Sequence, residues 1–477
     1  MSSYSAYATL PVPTIPGLKA SSFLQRKLGA YAKHIVAGAL NRILIHGILE
    51  LVDTDGSVRT FGEQTATEPN ARRATIHIRD ERFWLRVYRS YDVGFSEAYM
   101  AGECDSPDLK SVLELFVDNM QYIDRGVSTL SHRVFKAFSI ASHFLSHGHA
   151  KSIGNVAMYD ASNELYTVVF WSNMTSLANR LQAFLSKEMQ YSCPIWSTNE
   201  GGVRGDLEGH RAPCDLEAAQ FNKIDYILRK ARLKSGGRLL EIGSGWGSIA
   251  IAAAKMGCTV DTITLSIEQK TLAEKRIRDA GFADKIRVHF MDYRDMPPEF
   301  ENAFDACVSL EMLEAVGIEY MPTYISKIDW ALKDKDSAVV LTATTYPEHR
   351  FTRYQGQNFI RKYHWPHTVL FSALSLSEAF HKTLGGKFSV DSIEDFGTHY
   401  PRCLREWGRR LEQNWNQELI ESLQDRFPEL KDPYFLEMFR RKWHYMFLYM
   451  EVAYSRVWLS CFCWTFARPG YAATASA

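Results

Sequence analysis

The apolar positions change period along the chain. From Phe23 to Leu40 they recur at helical spacing, interrupted by Lys27, Lys33 and His34, which predicts an amphipathic helix docked on a domain core. Over residues 43–62 (ILIHGILELVDTDGSVRTFG) they alternate on either side of Asp55-Gly56, a hairpin signal. The run ATIHIRDERFWLRVYRS is expected to continue the strands, and residues 93–118 to form a loop and helices. Further on, a helix over residues 217–232 is followed by strand RLLEIG, a Gly-rich turn, helix SIAIAAAKMG, strand TVDTITLS, helix IEQKTLAEKRIRDAG and strands KIRVHFMDY and AFDACVSLE. Such alternation builds a mainly parallel α/β sheet. The expected division is a flexible tail (1–20), a small N-terminal α+β domain (21–130), a Ser- and His-rich connector (131–155) and an α/β domain (156–470).

Composition narrows the class. With 477 residues, 46% apolar and 23% charged, the chain has material for two folded domains. Lys plus Arg and Asp plus Glu balance at 55 each, so no global field recruits nucleic acid, and any membrane attraction is local. Eight cysteines without a CxxC pair, and no apolar run ahead of Pro11, Pro13 and Pro16 to read as a signal peptide, point to reduced thiols in the cytoplasm. No stretch reaches the ~18 consecutive apolar residues of a spanning helix, so contact with a membrane would be peripheral. Cys461 and Cys463 share one side of a strand, but two thiols alone make no metal site, and no metal is expected.

The sharpest chemical signal is LLEIGSGWGSIAIAAA, residues 239–254. A buried strand runs into Glu241, Gly243, Gly245 and Gly247 and then opens a helix, so backbone can approach a ligand where side chains would obstruct it. The ExGxGxG form lacks the GxGxxG spacing and puts an acid at the strand end, a poor neighbour for a pyrophosphate. It suits the ammonium and hydroxyls of S-adenosylmethionine. Asp261 lies at the usual distance for a ribose-binding acid but at the start of its strand, and reads as a solvated strand residue. Thr264, Ser266, Glu268 and Gln269 at that strand's end, and Asp292 and Tyr293 after the next, are the better nucleoside ligands.

With YDASN (159–163), YSCPIW (191–196), LEIGSGWGS (240–248), TLSIEQ (264–269), SLEMLEAVG (309–317) and FIRKY (359–363) in order, the chain resembles the cyclopropane-fatty-acyl-phospholipid synthase family, including the mycolic acid cyclopropane synthases, in its eukaryotic, fungal-like branch. The resemblance implies a Rossmann-like class I methyltransferase domain with a seven-stranded sheet behind an accessory domain. It also implies transfer of a methyl group to the double bond of an unsaturated acyl chain, giving a cyclopropane or a methyl branch. Peripheral membrane contact and a homodimer fit such a lipid enzyme. In the family the base is a bicarbonate held by a Cys backbone group, a Glu, a His and a Tyr. The resemblance places Cys193 and Glu314 in that set, and Tyr159, Tyr191 and Ser192 beside the adenosylmethionine ligands, Tyr159 being counted with the catalytic residues. Glu311 is expected one turn before Glu314 on the same helix face, as a lesser substitute.

This sequence departs from the family at the base. Thr342 stands at the His position and Gly408, in REWGRRL, at the Tyr position, which leaves the bicarbonate cage incomplete. HWPHTVLFSA replaces a Gly turn after FIRKY, and an insertion between Asn163 and Leu181 reads as a lid or a translated intron. The aromatic stretch from Lys442 to Gly470 reads as a core helix and last antiparallel strands, with one helix face able to line an acyl tunnel. Two other readings stand beside lipid methylation: a methyltransferase of a small amine or secondary metabolite, and a lipid-binding homologue impaired in catalysis.

Overall fold

A computed structural model describes residues 23–62, 71–122, 183–366 and 368–468. The expected tail and connector, Tyr159 with the rest of YDASN, and the insertion before Leu181 lie outside the described residues. The chain divides into one unit of Met1–Gly154, Gly356–His364 and Leu423–Val452, and a second of Asn155–Gln355, Trp365–Ser422 and Ala453–Ala477.

In the first unit the period-two run forms β1 (Ile48–Val52) and β2 (Val58–Phe61), antiparallel with Val52 opposite Val58. Gly56 takes φ +82° in the turn and donates its N–H to the Asp53 carbonyl at 2.9 Å, so Asp55-Gly56 closes the hairpin as read. β3 (Arg73–Ile78) joins parallel to β1, and β4 (Cys104–Asp105) antiparallel to β3, in the order β2-β1-β3-β4. Helices α1 (Phe23–Ile43), α2 (Arg82–Met100) and α3 (Leu109–Asp118) complete this part.

Strand structure does not continue through RFWLRVYRS. The Asp80 carboxylate accepts the Arg82 backbone N–H at 2.8 Å, satisfying a donor at a helix start, and adjacent Phe83 and Trp84 are both buried, as a strand facing one core would not allow. Helix α2 breaks at Tyr91 (φ +49°), and at Gly94 a Cβ would lie 2.2 Å from the Arg86 carbonyl, so the close return of the chain requires glycine.

Two segments read as parts of the second domain belong to the first unit. Phe359 packs edge-on to Tyr445 with centroids 4.6 Å apart, and Tyr445 also meets Phe95 and Tyr99 of α2. Tyr363 donates to Glu97 at 2.7 Å, and Arg441 donates to the Tyr99 and Cys104 carbonyls at 2.6 and 2.9 Å. The aromatic stripe of the helix Pro433–Ser455 is thus used in that core over most of its length.

The second unit is the expected α/β sheet. Its elements are α4 (Asp215–Lys230), β5 (Arg238–Ile242), α5 (Ser248–Lys255), β6 (Thr259–Thr264), α6 (Ile267–Asp279), β7 (Ile286–Phe290), β8 (Ala306–Leu310), α7 (Met321–Ala331), β9 (Ala338–Thr345), α8 (Ala373–Leu384), β10 (Ser389–Asp395), α9 (Tyr400–Gln413) and β11 (Ser460–Ala467). Seven strands lie in the order β10-β11-β9-β8-β5-β6-β7. β11 runs antiparallel to both neighbours and the other pairs are parallel. Every residue of β9 is buried, as in a sheet covered on both faces. From β5 the chain proceeds through β6 to β7 on one side, then returns to lay β8 and β9 on the other. The reversal leaves a crevice at the carboxyl ends of β5 and β8.

Trp464, in β11, is fully buried among the second unit's apolar residues and donates its indole N–H to the Ala373 carbonyl at 3.3 Å. Trp464→Ala is expected to lower unfolding free energy by about 3–5 kcal/mol, read from the urea midpoint at unchanged slope.

Candidate active site

At the end of β5 the glycines do what their spacing implies. Gly243, Gly245 and Gly247 take φ of +98°, +46° and +82°, and the N–H groups of Gly243 and Ser244 both reach the Ile263 carbonyl of β6, at 3.0 and 3.1 Å. The bend opens α5. Glu241 is buried behind it, with one carboxylate oxygen lacking a hydrogen-bond partner among the described residues, as is the Ser244 hydroxyl. Burial pushes the Glu241 carboxyl up to about 8. An orphaned buried acid beside an open glycine bend fits a ligand carrying positive charge.

The other expected nucleoside ligands stand at the ends of the neighbouring strands. Thr264 closes β6 and donates to the Gln269 side-chain oxygen at 2.5 Å, while Ser266 caps α6 by accepting the Gln269 N–H at 3.1 Å. Asp292, after β7, is held by Arg294 through a backbone N–H at 2.8 Å and a guanidinium at 2.6 Å. Tyr293 packs edge-on to Tyr324 at 5.0 Å, and its phenol is pushed up to about 12 by burial and by Asp292. Asp261 is not solvated: it is buried and bonded to Arg238 at 2.9 Å and His289 at 2.8 Å, a structural acid between strands.

Tyr191 is stacked on Trp407 with centroids 4.9 Å apart, and the Ser192 hydroxyl accepts from the Lys223 ammonium at 2.5 Å. Lys223 is itself buried on α4, which lowers its pKa. The neighbouring Cys193 contributes its backbone: its N–H donates to Glu311 Oε1 at 2.6 Å. Burial raises the Cys193 thiol, which keeps it neutral.

Glu311 and Glu314 do not share a helix face. Glu311 sits on the bend immediately after β8 at φ +51°, and Glu314 in the short turn Leu313–Ala315. The second Glu311 oxygen accepts from the Tyr400 hydroxyl, and Tyr400 stacks on Tyr454 at 4.3 Å. A phenol therefore enters the site from the start of α9, two turns before Gly408, which the sequence reading had taken as its place. Thr342 closes no cage of its own; its carbonyl accepts the Glu311 N–H at 2.8 Å. Glu314 accepts the Thr344 N–H at 2.6 Å, and Thr344 and Tyr454 share a hydroxyl contact at 2.8 Å. Burial and the charge of Glu311 push Glu314 up to about 8.

Lys223 and Tyr400 were missed by sequence reasoning. Lys223 lies on the stripe Leu216, Ala219, Gln220, Ile224, Ile227 of α4, and a charge within an apolar stripe was the available signal. Tyr400 carried none, because its partner is 89 residues away. No cluster of His, Cys, Asp and Glu suited to a metal occurs among the described residues, and none of their helices is long and apolar enough to cross a membrane.

The unfolded chain ionises Glu314 near the ordinary 4.5, the folded chain near 8. The contribution of the neutral form to stability is thus complete below 4.5 and lost as pH rises through about 8. Glu314→Gln should flatten the fall in melting temperature between about pH 5 and 8, by an amount equivalent to a few kcal/mol.

Residues 149–447 match the family described as mycolic acid cyclopropane synthetase. The chain is 31% identical over 449 residues to the tuberculostearic acid methyltransferase of Mycobacterium tuberculosis, with 93% of each chain covered. It is 27% identical over 365 residues to the cyclopropane-fatty-acyl-phospholipid synthase of Escherichia coli, over 75% of this chain and 81% of the other. A solved cyclopropane synthase from Mycobacterium tuberculosis shares its fold at a TM-score of 0.50 and 20% identity, over 67% of this chain and 99% of that one.

Proposed function

The chain belongs to the mycolic acid cyclopropane synthetase family, and from that premise we propose that it transfers a methyl group from S-adenosylmethionine to the double bond of an unsaturated acyl chain of a lipid. Its second unit has the Rossmann-like class I methyltransferase fold. The observation that carries the proposal is the orphaned, buried Glu241 behind a three-glycine bend at the sheet's switch point. A lipid substrate is supported by two relatives, one named a tuberculostearic acid methyltransferase and one a cyclopropane-fatty-acyl-phospholipid synthase.

When bound, adenosylmethionine supplies an electrophilic methyl on a positively charged sulfur. Glu241 would offset that charge, while Gly243, Gly245 and Gly247 leave room for the ligand against the backbone. Thr264, Gln269, Asp292 and Tyr293 would hold the nucleoside, and Tyr191 and Ser192 would join them in lining the donor pocket. Cys193 would act through its backbone N–H. Glu314, titrating close to neutrality, suits a proton relay. Tyr159 joins the catalytic set on resemblance alone. We also propose a cytoplasmic protein in peripheral contact with a membrane, as monomer or homodimer, because the acyl chains of phospholipid reside there.

Calorimetry with adenosylmethionine should show binding that Glu241→Gln weakens at least about tenfold, the scale of one lost charge-assisted contact. In a host without its own cyclopropane synthase, mass spectrometry should find acyl chains heavier by one CH2, and Glu314→Gln should slow their formation by roughly 100-fold. Unchanged lipids together with no donor binding would sink the proposal.

A further inference from the structure

Methyl addition to an alkene must end in loss of a proton, and a base has to stand in the same dry space. Expectation from resemblance was a bicarbonate on the Cys193 N–H. In the structure that N–H already has a carboxylate of the chain's own, Glu311, and so does the Tyr400 hydroxyl. We propose, resting on the acyl methyl transfer inferred above, that Glu311 is the internal base of this enzyme and replaces any bound bicarbonate.

Three independent observations support this assignment. Glu311 follows β8 directly and precedes Met312, whose side chain lies 3.7 Å from where a Cβ on Gly243 would stand, so Glu311 leaves the sheet one residue from a contact with the glycine bend. It holds φ +51°, a conformation that glycine adopts freely and a branched-off carboxylate does not, so the fold keeps a strained residue here for its side chain. Its two oxygens are separately oriented, one by a backbone N–H and one by a phenol, with buried Lys223 among the charges acting on it. Glu314 is another carboxyl nearby; burial raises the Cys193 thiol, and the hydrogen bond with Cys193 together with burial raises that of Cys461, so both stay neutral. Burial raises Glu311, whereas Tyr400, Cys193 and Lys223 favour its charged form; Glu314 feels the charge of Glu311 and keeps its proton to higher pH.

In the step assigned to it, the alkene π pair forms the new bond to the methyl carbon as the C–S bond breaks, its pair leaving on sulfur. The acyl chain then carries the positive charge. Glu311 removes one proton from the added carbon, and that C–H pair closes a three-membered ring or, after a hydride shift, a methylene double bond. The proton remains on the Glu311 carboxyl until it is relayed away.

The test compares wild type, Glu311→Gly and Glu311→Gln, with and without bicarbonate. Wild-type turnover in carbon-dioxide-free buffer should stay within about twofold of that with bicarbonate, and both variants should fall by about 10³-fold. Bicarbonate should restore Glu311→Gly at least tenfold by entering the vacated space, but not Glu311→Gln, whose amide still fills it. Independently of turnover, carbon-13 NMR should show labelled bicarbonate binding saturably to Glu311→Gly and not to wild type. Wild-type turnover that collapses without bicarbonate, a Glu311→Gly protein that neither binds nor responds to it, or near-full activity in Glu311→Gln overturns the assignment. If Glu311→Gly does not fold, Glu311→Gln decides: donor affinity kept with turnover lost supports the base, and equal loss of both overturns it. A wild type that binds the donor but methylates no lipid refutes the parent reading instead, and the labelled-bicarbonate comparison still decides the role of Glu311.

Discussion

A parallel sheet can grow outward in two directions from one strand only by leaving a gap where the two directions part. In the second unit that strand is β5, and the gap lies between its carboxyl end and that of β8. Among the described residues, those given a chemical role are within a few positions of a strand terminus or are brought there by the segment around Tyr191 and the start of α9. The seating of β8 against both β5 and β9 fixes where Glu311 and Glu314 leave the sheet. Their proximity makes Glu314 sensitive to the charge of Glu311, which with burial raises its pKa.

Much of this was legible in the sequence because it rests on short-range rules. The Asp55-Gly56 hairpin, the strand–glycine–helix bend and the alternation of periods are local patterns, and each folded as read. RFWLRVYRS forms a helix instead because its apolar residues satisfy both periods over a short span, and one contact at the helix start, Asp80 on the Arg82 N–H, comes from a residue just outside it. The assignment of the segments around Phe359 and Tyr445 to the first unit depends on the contacts of Tyr445 with Phe95, Tyr99 and Phe359 and on the Tyr363–Glu97 hydrogen bond, all distant in sequence, which no window on the sequence reveals.

The site was half legible for the same reason. Glycines and strand-end polar residues announce themselves by spacing. The pairing of Glu311 with Cys193 does not, since it joins residues separated by 118 positions through a backbone group that carries no residue identity. The shared helix face expected for Glu311 and Glu314 also hid it, because Glu311 lies on a left-handed bend after β8 and Glu314 in the separate short turn Leu313–Ala315.

The use of a main-chain donor at position 193 has an evolutionary corollary. The thiol is neutral and donates to the Phe396 carbonyl at 3.4 Å, a contact that another small donor could make. Selection at this codon should therefore filter on bulk and on the presence of an amide hydrogen. Serine keeps both donors, whereas proline, which alone among the twenty has no amide hydrogen to give, would leave Glu311 Oε1 without its backbone partner.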